Sequence, residues 1–136
     1  DRIPGVLAEA MAEWTALTGR AVGPIATHRT EDATEILVAM GTIADTAIAV
    51  VDHLREHGRP VGCVAVTAFR PFPAAELAAA LKNARTVGVV ERTDEPLAAA
   101  NPLTREIEAA LYDGAAEGES SIAVLVVAGV VTLGSA

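Results

Sequence analysis

Short runs of consecutive apolar residues recur along this chain of 136 residues, and a segment with helical spacing follows most of them. The clearest runs are residues 36–40, 61–69, 86–90 and 122–127, and residues 22–26 form a weaker extended candidate that Pro24 interrupts. Runs that are apolar throughout indicate strands buried on both faces. We therefore predict an α/β fold, a three-layer sandwich with about five mostly parallel strands and helices on both faces of the sheet.

Helix start and stop signals separate these runs. The first helix is predicted to end at Gly19. Its apolar residues repeat at spacings of three and four, which places them on one face: Val6, Leu7, Ala10, Met11, Trp14 and Leu17. The second follows Gly41, with Thr42 as its N-cap, Asp45 in its first turn and Gly58 at its end. Its predicted buried residues are Ile43, Ala47, Val50, Val51 and Leu54.

Proline marks the start of two further helices. Pro73 opens a helix that carries Leu77 and Leu81. Asn101 is the predicted N-cap of the last helix, which we expect to end at Gly114. We divide the chain into an N-terminal linker helix, residues 1–20, and one α/β domain, residues 21–136. Because it begins with Asp and ends just after an apolar run, we expect a piece of a longer protein.

Composition excludes several classes of function. The net charge of −8 and only ten scattered basic residues argue against nucleic-acid binding. No apolar run reaches the ~18 residues of a membrane span, and residues 1–20 lack the basic start and apolar core of a signal peptide. We therefore expect no membrane contact and a cytoplasmic location. With Cys63 as the single cysteine, an internal disulfide, a four-cysteine zinc site and an iron–sulfur cluster are all excluded.

The carboxyl ends of the predicted strands give the candidate contact residues, because ligands and partners of open α/β sheets gather at that edge. Gly41 and Thr42 open a helix there, and the alternatives are a tight structural turn or a contact with an anion or a partner's carboxylate. Glu91 and Arg92 end a strand at the same edge.

The segment Phe69-Arg70-Pro71-Phe72-Pro73 also follows a strand and holds one guanidinium in a stiff stretch of chain. Arg70 either pairs with a nearby acid such as Glu91 or contacts another domain or a phosphate. Pro71 and Phe72 belong to the same candidate contact.

Three other features are given structural interpretations. His53-Leu54-Arg55-Glu56-His57 matches an inverted zinc-peptidase pattern, but we predict a solvated helix end. Cys63 is predicted to be a buried, inert thiol. His28 lies in a polar stretch without an evident catalytic partner. We identify no catalytic, cofactor-binding or metal-binding residue.

Taken in order, several segments resemble the second domain of the pyruvate:ferredoxin (flavodoxin) oxidoreductases, within the 2-oxoacid:ferredoxin oxidoreductase family. This domain is related to the transketolase C-terminal domain. The segments that carry the resemblance are 17–20, 30–33, 37–42, 65–73 and 89–92. Thr42 and Glu91 stand where the family commonly has Ser and Asp.

The resemblance implies a parent enzyme that uses thiamine diphosphate, magnesium, iron–sulfur clusters and coenzyme A, all bound outside this chain. Its implied partners are other domains or subunits of that enzyme and, through it, ferredoxin or flavodoxin. The chain itself is then a non-catalytic assembly domain. The alternatives are a free-standing nucleotide- or metabolite-binding module that uses Gly41, Thr42 and Arg70, or an interface domain of a related transketolase or 2-oxoacid dehydrogenase.

Overall fold

A computed structural model describes residues 2–116 and 125–130, which form strands and helices in alternation after an initial helix. The elements in chain order are α1 (Ile3–Thr18), β1 (Ile25–His28), β2 (Glu35–Met40), α2 (Thr42–Glu56), β3 (Val61–Val66), α3 (Ala74–Leu81), β4 (Thr86–Glu91), α4 (Pro102–Ala116) and β5 (Leu125–Val130). Within the described residues, no helix is long and apolar enough to span a membrane.

The strands form one sheet in the order β1-β3-β2-β4-β5. Strands β3, β2, β4 and β5 run parallel, and β1 runs antiparallel to β3 at the edge. Val38 in the central strand is aligned with Val64 on one side and Val89 on the other. The predicted mostly parallel sheet is therefore confirmed.

Helices cover both faces of this sheet, as predicted. Helices α3 and α4 lie on one face, where the core consists of Leu77, Leu81, Leu103 and Ile107 against Ile36, Val38, Val64, Val66, Val87 and Val89. Helix α2 lies on the other face, where Ala47 and Val51 pack against Val61 and Cys63. Burying these side chains supplies about 25 cal/mol for each Å² of apolar surface removed from water.

Two edge segments differ from the predicted bounds, and one group of hydrogen bonds explains both. The carbonyl oxygen of Pro24 accepts hydrogen bonds from the amides of Thr67 and Ala68. Because two successive amides share this one acceptor, the regular strand pairing begins only at Ile25, and β1 covers Ile25–His28 rather than residues 22–26. The same contact diverts the chain after Val66, so β3 ends there rather than at residue 69.

The last helix and last strand are also displaced from their predicted bounds. Helix α4 continues through Gly114 to Ala116, so the predicted end at Gly114 was wrong. A helix tolerates an internal glycine at a cost of about 1 kcal/mol, and glycine alone does not end one. The predicted final strand overlaps β5 at residues 125–127, and its residues 122–124 lie outside the described part of the chain.

Helix α1 ends as predicted. Gly19 adopts the left-handed conformation with φ 69°, and its amide donates to the carbonyl oxygen of Thr15. Most of the apolar face is uncovered, because no residue of α1 is buried and only Leu7 and Met11 within that face are partly covered. The spacing correctly reports a helix, but it cannot report whether a surface is present to cover it.

Helix α2 follows its predicted bounds with two corrections. Its cap residue is Gly41, so Thr42 is the first helical residue and not the N-cap. Val50 was predicted to be buried but is 43% exposed. It lies beside a groove of about 450 Å³ that includes Leu37 and Val90, where α2 leaves part of the sheet uncovered. Asp45 and Gly58 occupy their predicted places in the first turn and after the end.

Candidate functional site

Strands β2 and β4 are neighbours in the sheet. The connection that leaves β2 leads to β3 on one side, and the connection that leaves β4 leads to β5 on the other side. This arrangement makes the crevice beyond their carboxyl ends a topological switch point, the usual ligand position in open α/β sheets. A shallow cavity of about 150 Å³ lies there, lined by Met40, Ile43, Val90, Glu91, Arg92, Thr93 and Leu103.

Gly41 links β2 to α2 through a backbone conformation that other residues rarely adopt. Its φ is 57° and its ψ is −140°. A Cβ added at this position would meet no atom within 4 Å, so the requirement for glycine comes from the backbone conformation and not from lack of space. In the described part of the chain, no side chain caps this helix start. The predicted anion contact at Gly41 and Thr42 stays a prediction.

Glu91 has a structural role that the sequence did not reveal. Its side chain is buried, and one carboxylate oxygen accepts a hydrogen bond from the amide of Leu103 at 2.8 Å. The other oxygen accepts from the amide and the hydroxyl of Thr104, at 3.1 Å and 2.7 Å. A negative group at a helix start also interacts favourably with the helix dipole. Glu91 therefore caps α4 from the neighbouring strand.

The predicted cap of α4, Asn101, has a different task. Its side-chain oxygen accepts a hydrogen bond from the amide of Glu95 at 2.9 Å, within the loop that precedes the helix. Asn101 lies at the predicted N-cap position, since its carbonyl oxygen accepts a hydrogen bond from the amide of Arg105 at 3.0 Å, but the side chain that caps the helix is that of Glu91 in β4. Local sequence signals do not include a partner 12 or 13 residues upstream.

Arg70 forms an ion pair with Glu106. A pair with a nearby acid was one of the two alternatives given for Arg70, but the acid named there was Glu91. The side chains of Arg70 and Glu106 are 2.8 Å apart, and the guanidinium also donates to the carbonyl of Phe69 at 2.9 Å. The guanidinium carbon lies 4.3 Å from the centre of the Phe69 ring, a cation–π distance. The suggested pairing with Glu91 is wrong, because Glu91 is already committed to α4. Arg70 is 61% exposed.

The candidate residues fall into two groups in the structure. Thr42 and Arg92 line the groove of about 450 Å³ beside α2, and Glu91 and Arg92 line the smaller crevice cavity. Pro71 and Phe72 line a different cavity, of about 220 Å³, against α1. The peptide bond between Arg70 and Pro71 is cis. None of these three cavities is lined by residues from both groups.

At the opposite end of the sheet, Arg55 and its hydrogen-bond partners form a group that we call the clasp: Asp32 and the carbonyls of Arg29 and Val61. Arg55 donates to both carboxylate oxygens of Asp32, at 2.8 Å and 2.7 Å, and also to the carbonyls of Arg29 and Val61. The hydrogen bonds from Arg55 hold the pKa of Asp32 below its ordinary value. This guanidinium therefore joins α2, β3 and the turn after β1.

His28 is part of a second ion-pair group that the sequence did not predict. Its Nε2 lies 2.8 Å from Asp52 on α2, and Arg29 contacts the same carboxylate oxygen at 2.8 Å. The hydrogen bond with His28 is the main cause that lowers the pKa of Asp52. The partners are 24 residues apart in the chain, so local spacing gave no signal of the contact.

The peptidase-like segment lies at the exposed end of α2. His53, Glu56 and His57 are all exposed, as predicted. His57 uses Nδ1 to contact the carbonyl of His53 at 2.8 Å. Among the residues that the structure describes, no group of three His, Cys, Asp or Glu side chains is placed to hold a metal.

Cys63 is fully buried in β3, as predicted. Removal from water raises the pKa of its thiol to about 11. A thiol that stays protonated at neutral pH is a poor nucleophile. Its neighbours across the sheet are His28 in β1 and Leu37 in β2.

Comparison with known proteins identifies the family of this chain. A model of the pyruvate:ferredoxin oxidoreductase core domain II matches residues 33–132. The pyruvate synthase subunit PorA of Methanothermobacter thermautotrophicus is 37% identical over 113 residues, which are 83% of this chain and 29% of that protein. The corresponding subunit of Thermotoga maritima is 34% identical over 116 residues, 85% of this chain and 29% of that protein.

A relative with a different name gives the same result. The pyruvate-flavodoxin oxidoreductase of Klebsiella pneumoniae is 37% identical over 111 residues, which are 81% of this chain and 10% of that protein. The chain thus spans less than a third of each of these three relatives. Since the family model matches most of its residues, this chain belongs to the pyruvate:ferredoxin oxidoreductase core domain II family.

Proposed function

We propose that this chain is a non-catalytic assembly domain of a 2-oxoacid:ferredoxin or flavodoxin oxidoreductase, with pyruvate as the expected substrate of the parent protein. The relatives named pyruvate synthase and pyruvate-flavodoxin oxidoreductase support the parent activity. The domain supplies a rigid α/β body against which the domains that bind thiamine diphosphate and iron–sulfur clusters pack.

The observation that carries the non-catalytic role is the use of Glu91. A carboxylate at the carboxyl end of a central strand is the position at which an α/β enzyme commonly places a catalytic group. Here both oxygens of that carboxylate accept hydrogen bonds from the start of α4. A carboxylate held in this way stabilises the helix, and both of its oxygens are already engaged in hydrogen bonds within the domain.

The other reactive side chains support the same proposal. Arg70 is neutralised by Glu106 on the protein surface, and Cys63 is buried with a raised pKa. Acid, base and nucleophile are therefore not brought together among the candidate residues. The exposed Thr42 and Arg92, which line the groove of about 450 Å³ beside α2, are the candidates for contact with a neighbouring domain or its anionic groups.

Calorimetric titration of the isolated chain with magnesium and thiamine diphosphate tests the proposal. We expect no saturable heat, because the parent cofactors bind to other domains. The positive control is the complete parent protein titrated in the same buffer. Saturable binding to the isolated chain with a micromolar dissociation constant would contradict the assembly role, and would favour the alternative of a free-standing nucleotide-binding module.

A further inference from the structure

The apolar side of helix α1 has two adjacent parts, and only one of them meets the rest of the described domain. The inner face carries Leu7 and Met11, which lie with Phe72 around the cavity of about 220 Å³. A helix turns about 100° per residue, so a second set of apolar side chains of α1 lies beside the inner face, within an arc of about 80° around the helix axis. We call this set the outer stripe: Val6, Ala10, Trp14 and Leu17.

The outer stripe is open to solvent along its length. Val6 is 57% exposed, Trp14 is 53% exposed and Leu17 is 85% exposed. The spacing of the stripe, four residues from Val6 to Ala10, four to Trp14 and three to Leu17, is that of a helix packed on another surface. Tryptophan is also the residue most enriched among those that dominate binding at protein interfaces. These features mark an interaction surface.

Charge decides which kind of surface fits. Glu9 and Glu13 lie together along one flank of the stripe, four residues apart on the helix. If two copies of α1 paired antiparallel across the stripe, each acidic flank would face the acidic flank of the other copy. A groove with an apolar floor and basic side chains along one edge complements both the stripe and the flank.

We propose that the outer stripe docks into such a groove on another domain of the same parent protein. This inference rests on the proposed function, which supplies a parent with further domains. The relatives support the presence of enough additional protein, because this chain corresponds to 29% of one and 10% of another. Helix α1 then lies between two domains, with Leu7 and Met11 on this one and Trp14 and Leu17 on its neighbour.

Two matched substitutions in the complete parent protein test the docking. Ala10→Glu places a charge at the centre of the stripe, whereas Ala12→Glu places the same charge on the exposed opposite side of the same helix. The measurement is hydrogen–deuterium exchange of the α1 backbone amides. We expect at least tenfold faster exchange in Ala10→Glu and no change beyond twofold in Ala12→Glu.

A charge reversal tests the chemistry of the partner. The double variant Glu9→Lys with Glu13→Lys is expected to raise the exchange rate more than Glu9→Gln with Glu13→Gln, because only the reversal repels a basic edge. Equal exchange in Ala10→Glu and Ala12→Glu, whether fast or slow, would overturn the docking proposal. Protection that disappears on dilution of the parent would place a second copy on the stripe and overturn the choice of partner. Because exchange is measured and not turnover, these outcomes do not depend on whether the parent oxidises pyruvate.

Discussion

The carboxylate of Glu91, at the end of β4, accepts two hydrogen bonds from Thr104 in the first turn of α4, one from the hydroxyl at 2.7 Å and one from the amide at 3.1 Å. A strand residue therefore caps the helix that follows it, across a loop of ten residues. This contact fixes the start of α4 at the sheet edge where the candidate contact residues lie.

Replacement of Glu91 should therefore destabilise the fold. We expect Glu91→Ala to lower the free energy of unfolding by about 2 kcal/mol, because buried amides of α4 lose their acceptor. Glu91→Gln should cost less, about 1 kcal/mol, since one oxygen acceptor is retained. Urea denaturation measures both. The control is Glu108→Gln, an exposed acid in the same helix. A Glu91→Ala variant as stable as that control would show that the cap is unimportant.

The clasp around Arg55 gives a second stability test. Arg55→Ala removes the donor to two backbone carbonyls and to Asp32, so we expect a loss of about 1–3 kcal/mol. Arg59→Ala is the matched control, because Arg59 makes a more exposed ion pair with Glu35. Its expected loss is below about 1 kcal/mol. Equal midpoints for the two variants in urea denaturation would contradict a special role of Arg55.

Cys63 should make stability depend on pH in the alkaline range. In the folded chain the pKa of its thiol is about 11, compared with 9.0 without burial. The unfolded chain therefore loses this proton first, and stability should fall as pH rises from about 9 to about 11. Below pH 9 the thiol contributes no pH dependence. The control Cys63→Ala should lack this part of the decline, and identical pH profiles would contradict it.

The thiol should also resist modification at neutral pH. We expect a thiol reagent to label Cys63 only at the rate of unfolding, because the side chain is fully buried. Cys63→Ser should cost about 1–3 kcal/mol, the penalty for a hydroxyl without a partner. Rapid labelling of the folded chain would show that β3 is not a stable central strand.

The histidines at the end of α2 should not retain zinc. His53→Ala is expected to change the free energy of unfolding by about a fraction of a kcal/mol, because the side chain is exposed near a helix end. Metal content after dialysis checks this expectation, with wild-type chain as the reference. One zinc ion per chain that survives dialysis and disappears in the variant would contradict the interpretation of a solvated helix end.

The order of strands and helices was accessible from sequence because apolar runs and glycine or proline stops are local signals. Residues 36–40 and 86–90 correspond closely to β2 and β4, and Gly58 ends α2 as predicted. The contacts between distant segments were not accessible. Glu91 with Thr104, and His28 with Asp52, join residues that only the completed sheet brings together.

The candidate contact residues were chosen because they follow predicted strands, and Gly41 and Arg92 do follow β2 and β4 in the structure. One of the two alternatives for Arg70 was a pair with a nearby acid, but the acid named was Glu91 in place of Glu106. Periodicity also placed the apolar residues of α1 on one face, and the structure leaves that face exposed at Trp14 and Leu17. Periodicity reports which face of a helix is apolar, and the surface that covers such a face can belong to another part of a larger protein.

The central claim is that this domain contributes assembly and not chemistry. Its most direct test is pyruvate-dependent turnover of the complete parent protein, expressed per assembled enzyme, for Arg70→Ala and Arg92→Ala. We expect a smaller assembled fraction and, within that fraction, a kcat within twofold of wild type, since an assembly role places neither arginine against reacting atoms. Fully assembled variants whose kcat has fallen a hundredfold or more would contradict the claim.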